Sequence, residues 1–193
     1  MAAVRILIAE DNDPVAQGLE EQLNALGYEV VGIARSGVEV LRSCEQLRPD
    51  LVIVDLQLPE HGGAAVTKQI VERTPTAVVI MTAFADPESI RRAEDAGALA
   101  YLVKPVNPEE MPPAIDIALA RFRELQGLRE RVGDLQETID SRKVLERAKG
   151  ILMKRMNIGD AEAETRLRQR AKEKGVRVQD MAQAIVDSDA LLS

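Results

Sequence analysis

Several short apolar runs in this chain end in residues that can carry charge or donate hydrogen bonds. VRILIA is followed by Glu10 and Asp11, LVIV by Asp55, AVVIM by Thr82 and LAYLV by Lys104. Carboxylates placed directly after neighbouring strands of a parallel sheet converge at one edge, where open α/β sheets bind their ligands. Three carboxylates crowded together repel one another unless a cation sits among them. An all-oxygen donor set suits a hard divalent ion such as Mg2+, which binds through few carboxylates and keeps waters for a phosphate. A lysine and a hydroxyl on the same rim are donors for phosphate oxygens. Any one of these acids alone reads as a helix cap or a surface charge. Five suitable groups at four run ends read together as a site for phosphoryl chemistry.

The elements that must position them follow from periodicity. Strand-like runs are Val4–Ala9, Tyr28–Ile33, Leu51–Val54, Ala77–Met81 and Leu99–Val103. Between them, apolar residues recur three and four apart, as in Val15, Leu19, Leu23 and Leu26, the mark of amphipathic helices. Asp13 before Pro14 reads as a helix start and Gly27 as a stop. Five β–α units with near-continuous apolar strands predict a doubly wound, five-stranded parallel sheet with helices on both faces.

At these residues the first 122 positions resemble the receiver domain of two-component response regulators. The matching motifs are IAEDN, VDLQLPEHGG, MTAF and YLVKP. The resemblance implies a flavodoxin-like strand order of 2-1-3-4-5. It assigns Asp55 as acceptor of a phosphoryl group from a sensor histidine kinase. Glu10, Asp11, Asp55 and the Gln57 carbonyl would hold Mg2+, with Thr82 and Lys104 on the phosphoryl oxygens. Thr82 and Tyr101 would form the switch pair, the ring turning inward as the threonine moves, and Lys104–Pro105 would be cis. A phosphatase of the haloacid dehalogenase type needs a second acid two residues after the nucleophile, where this chain has Gln57. A flavodoxin-like electron carrier would have its phosphate repelled by Glu10 and Asp11. The expectation is a phosphoacceptor signalling protein that assists its own phosphotransfer, not an enzyme. His61 reads as a surface-loop histidine.

Beyond Phe122 the helical pattern continues. Leu125, Leu128, Val132, Leu135 and Ile139 step by 3, 4, 3 and 4, a short heptad seam that predicts coiled-coil pairing over residues 123–138. Gly127 and Gly133 each weaken that helix by ~1 kcal/mol, so the expected homodimer depends on phosphorylation. Residues 139–193 read as a small all-α domain of three helices, the first through Val144–Leu152, the second from Asp160 to a stop at Gly175, the third from Val178. Charge divides along the chain: residues 1–124 hold 11 Lys+Arg against 20 Asp+Glu, whereas residues 139–177 hold 12 against 6. A basic segment in an acidic protein points to an anionic partner. LERAKGILMKRMNI and the helices after it resemble the ANTAR domain of RNA-binding transcription antiterminators, which implies binding to paired RNA hairpins in nascent transcripts. The candidate contacts are Lys143, Arg147, Lys149, Lys154, Arg168 and Arg170. The family usually carries an aromatic residue after the alanine at Ala163; here it is Glu164, and no Phe, Tyr or Trp follows Phe122. Loop bases would then stack on guanidinium planes. DNA binding and regulation through protein contacts are the alternative outputs.

The remaining composition narrows the setting. A single cysteine, Cys44, excludes an internal disulfide and sits at helical spacing among Val40, Leu41 and Leu47, which assigns it to the core. No apolar run approaches the ~20 residues that span a bilayer. The expectation is a cytoplasmic protein without membrane insertion.

Overall fold

The computed structural model describes residues 3–59, 62–83 and 87–190, and at 134–138 and 190 the backbone only. His61 therefore lies outside the described residues, as do Glu60 and Phe84 of the motifs. The chain divides into two compact units between Gln126 and Gly127.

The first unit alternates β1 (Arg5–Ala9), α1 (Asp13–Ala25), β2 (Glu29–Ala34), α2 (Gly37–Leu47), β3 (Leu51–Asp55), α3 (Gly62–Arg73), β4 (Ala77–Thr82), α4 (Pro87–Asp95) and β5 (Ala100–Val103), and ends on α5 (Met111–Met156). The five strands are parallel in the order β2-β1-β3-β4-β5. Successive strand side chains point to opposite faces, so Ile6, Ile8, Ile53, Val79 and Met81 pack with Leu19 and Leu23 of α1 and Ile115 of α5. Leu7, Val52, Val54, Val78 and Ile80 pack on the other face with Val40, Val66, Ile70 and Ala93 from α2, α3 and α4. With both faces covered, every residue of β3 and β4 is buried. Each such Leu, Ile or Val contributes about 1.5–3 kcal/mol.

Local signals set the ends of the elements. Asn12, not Asp13, caps α1: its side chain accepts the Val15 N–H at 3.2 Å, and Asp13 is the first helical residue. Gly27 stops the helix at φ +89°. Cys44 is buried as expected, and burial, helped by the charge of Glu45, pushes its thiol up to about 11.

The second unit packs the C-terminal part of α5 with α6 (Asp160–Lys174) and α7 (Val178–Ala190). Its buried apolar residues are Ala148, Leu167, Ala171, Met181, Ala182 and Val186, with Ala163 also buried. Four alanines among them leave little apolar bulk. Gly159, not Asp160, caps α6, and Gly175 ends it in the left-handed region at φ +65°. No described helix is long and apolar enough to cross a membrane.

Candidate functional site

The strand-end residues are held by hydrogen bonds that continue the sheet. Glu10 N donates to Ala34 O at 3.0 Å, Leu56 N to Met81 O at 2.8 Å and Lys104 N to Thr82 O at 2.8 Å. The backbones on either side of Asp55 are therefore fixed before any side chain is considered. Register places Asp55 opposite Met81 and Thr82 opposite Val103.

On that frame, carboxylate oxygens of Glu10, Asp11 and Asp55 all lie within 4.8 Å of one another. Glu10 and Asp55 are buried, whereas Asp11 is exposed. Lys104 Nζ spans two of them, 2.5 Å from Glu10 Oε2 and 2.7 Å from Asp55 Oδ2. Burial opposes the charge on this ammonium, yet hydrogen bonds to Asp55 and Glu10, with their charges, hold its pKa above the ordinary lysine value. The other carboxylate oxygens are partly served: Asn12 N donates to Glu10 Oε1 at 3.1 Å and Gln57 N to Asp55 Oδ1 at 3.0 Å. Three carboxylates against one ammonium leave two negative charges in a half-buried site. That surplus, and a donor set made only of oxygen, fit a divalent hard cation.

Thr82 is buried at the end of β4, and Tyr101 on β5 is 46% exposed. Lys104–Pro105 is cis. Gly63, the second glycine of the motif that follows Asp55, closes the site from behind. A Cβ there would lie 2.1 Å from the Asp55 carbonyl oxygen and 2.8 Å from Leu56 Cα. The paired glycines after the Asp55 loop were the available signal.

The candidate RNA contacts separate into two groups. Lys149 is withdrawn from the surface, its side chain only 11% exposed, with Nζ 3.1 Å from Glu146 Oε1 and 2.8 Å from Asp160 Oδ1. It joins α5 to the first turn of α6, a structural ion pair where the sequence suggested a phosphate contact. Along α6, Arg168 pairs with Glu164 at 2.9 Å and Arg170 approaches Glu173 at 3.9 Å. On α5, Lys143 pairs weakly with Asp140 at 3.2 Å, while Arg147 and Lys154 are exposed and make no ion pair among the described residues.

Of the seam, Leu125, Leu128, Val132 and Ile139 are 43–65% exposed; the Leu135 side chain lies outside the described residues. The four described positions therefore do not bury themselves within one chain.

Comparison with known proteins matches the response regulator receiver domain over residues 6–116 and the ANTAR domain over residues 133–186. The transcriptional regulatory protein PdtaR of Mycobacterium tuberculosis is 36% identical over 184 residues, covering 95% of this chain and 90% of that protein. Among solved structures, the signal receiver domain of a modulated diguanylate cyclase from Desulfovibrio desulfuricans superposes with a TM-score of 0.59 at 29% identity, covering 63% of this chain and 98% of that one. A CheY-like receiver domain protein from Methanospirillum hungatei gives 0.58 at 28% identity, covering 64% and 98%.

Proposed function

The chain belongs to the response regulators, with a receiver domain followed by an ANTAR domain, and on that premise we propose that it accepts a phosphoryl group on Asp55 from a sensor histidine kinase and then binds hairpin RNA to control transcription antitermination. The observation that carries the first half is the cluster of Glu10, Asp11 and Asp55 with Lys104 spanning two of its members. An Asp55 carboxylate oxygen forms the new bond to phosphorus while the bond from phosphorus to the kinase imidazole nitrogen breaks. Glu10, Asp11, Asp55 and the Gln57 carbonyl would hold Mg2+, which when bound neutralises charge on the transferring group.

Phosphorylation replaces one carboxylate charge by roughly −2 on a phosphoryl group. Lys104, now shared between Glu10 and Asp55, then has a stronger acceptor and moves toward it. Thr82, on the neighbouring strand, supplies a hydroxyl to a second phosphoryl oxygen. Its shift frees space toward which the exposed Tyr101 ring turns, altering the face made by α4 and β5. The exposed seam along α5 then pairs two chains, so that two ANTAR domains meet adjacent hairpins and gain avidity.

The test is labelling by a small phosphodonor. Asp55→Asn, nearly isosteric, should keep the melting temperature and lose the label, and a chelator should stop labelling of the unmodified protein. A label that persists on another residue overturns the assignment. One observation favours a second reading, an output acting through protein contacts: Glu164 puts a carboxylate, paired to Arg168, where related domains carry an aromatic ring. That reading leads if tandem hairpin RNA binds no better than unrelated RNA.

A further inference from the structure

We propose that an RNA strand lies along one exposed face of α5, its phosphates on Arg147 and Lys154, with Lys143 at the end of the same line, and its closest approach at Gly150. This rests on the RNA-binding reading above and gives it a surface. The four residues stand at i, i+4, i+7 and i+11, which at 3.6 residues per turn confines them to an arc of about 60° over a rise of about 16 Å. All four are exposed. They point away from the α6 side of the helix, where Lys149 reaches Asp160.

Three observations select this face over α6. First, the α6 arginines are already answered within their own helix: Arg166 by Glu162 at 3.0 Å, Arg168 by Glu164 at 2.9 Å and Arg170 by Glu173 at 3.9 Å. Arg147 and Lys154 have no such partner among the described residues. Second, of the nearest acids Asp140 pairs with Lys143 at the N-terminal end of the stripe and Glu146 is engaged with Lys149, so the stretch from Arg147 to Lys154 is uninterrupted by a free carboxylate. Third, Gly150 sits in the middle of the stripe for no internal reason. A Cβ there would meet nothing outside its own helix within 4 Å, and its φ is not in the left-handed region. A glycine in a helix interior lowers stability relative to alanine. Gly127 and Gly133 are equally open but lie outside the basic segment. At Gly150, a bare backbone flanked by cations lets a phosphodiester approach closely, where a side chain would hold it off. The occupant is a nucleic-acid strand because charge, linear spacing and a narrow bare strip suit a chain of phosphates.

The experiment measures binding of the full chain, carrying a phosphoryl mimic at Asp55, to a labelled pool of tandem hairpins with randomised loops over a range of salt. Arg147→Gln and Lys154→Gln should each flatten the log–log salt slope by about 0.7, which is about fourfold in affinity near ~0.15 M salt. The charge-neutral pair Glu162→Gln with Arg166→Gln, which removes a paired arginine outside the candidate contacts, should leave the slope in place. Gly150→Ala should raise the melting temperature yet weaken binding several-fold, a combination that a merely structural glycine does not give. If the unmodified chain binds the pool and both stripe variants keep its slope, the surface is wrong while the RNA reading stands. If Gly150→Ala changes the oligomeric state and leaves RNA affinity intact, that face packs a second copy and the proposal falls. If the unmodified chain does not bind the pool at all, the RNA reading itself fails.

Discussion

Gly63→Ala isolates the positioning of Asp55 from its chemistry. The added Cβ would stand 2.1 Å from the Asp55 carbonyl oxygen and 2.8 Å from both Asp55 C and Leu56 Cα. Side-chain carbons do not approach backbone atoms that closely, so α3 or the loop after β3 must move by about 1 Å to restore contact. The Leu56 N–H is pinned to Met81 O at 2.8 Å and the Gly63 N–H to Leu56 O at 3.0 Å, so the shift is taken up around Asp55. Overpacking of this kind costs about 1–3 kcal/mol. A displacement of ~1 Å at a reacting group can cost about a hundredfold in rate. Gly62→Ala is the control. It meets only Leu56 O at 3.9 Å but is strained by φ +72°, so it should lower the melting temperature with little change in rate. The assay is the rate of labelling by a small phosphodonor, alongside thermal melting, for both variants. Equal rates for the two variants, at matched loss of stability, would refute the argument that Gly63 sets the position of Asp55.

Three further outcomes follow from the packing. Leu128→Asp should lower the dimer fraction seen by sedimentation when a phosphoryl mimic occupies Asp55, because pairing would bury an unpaired charge; an unchanged mass distribution excludes the seam as the pairing surface. Leu167→Ala removes the largest wholly buried aliphatic side chain of the second unit and should cost ~2–5 kcal/mol there, abolishing RNA binding while phosphodonor labelling continues. Cys44, with its thiol pushed up to about 11 by burial, should resist alkylation near pH 8 in the folded protein and react once unfolded. Because the unfolded thiol ionises first, its contribution makes stability fall as pH rises from about 8.5, and a rise in stability over that window would contradict it.

The sheet was legible because both its faces are covered: near-continuous apolar runs leave one assignment for β1, β3 and β4, and the expected ends of the strands fall within a residue of those observed. The acidic cluster was legible for the same reason, since strand ends fix where Glu10, Asp55 and Lys104 emerge. What sequence could not supply was contact across elements. Asn12 and Asp13 are both good caps, and only the hydrogen bond to Val15 N selects Asn12. Asp160 looks like a cap by type but is the first helical residue, and its carboxylate pairs with Lys149 across the α5–α6 turn. Lys149 itself reads as surface charge from composition, and its long stem, laid across the helix pair, is what removes it. Gly63 looks like any loop glycine until the Asp55 carbonyl is placed behind it.

Paired charge also changes what the basic segment means. Residues 139–177 carry six more cations than anions, and a count alone spreads that excess over two helices. On α6 the ladder of Glu162–Arg166, Glu164–Arg168 and Arg170–Glu173 neutralises much of its own charge. Glu164, where related domains carry an aromatic, is part of that ladder and sets a carboxylate beside Arg168. Of the candidate contacts, Arg147 and Lys154 on α5 remain unpaired among the described residues, as do Lys172 and Lys174 in the last turn of α6. A recognition surface built from phosphate contacts without stacking aromatics gains its affinity by releasing counterions. Its binding should therefore weaken with salt more steeply, relative to its total affinity, than that of a related domain that stacks loop bases on a ring. Such contacts carry no sequence information of their own, so under the proposed function discrimination among transcripts would rest on the spacing of two hairpins against two paired chains.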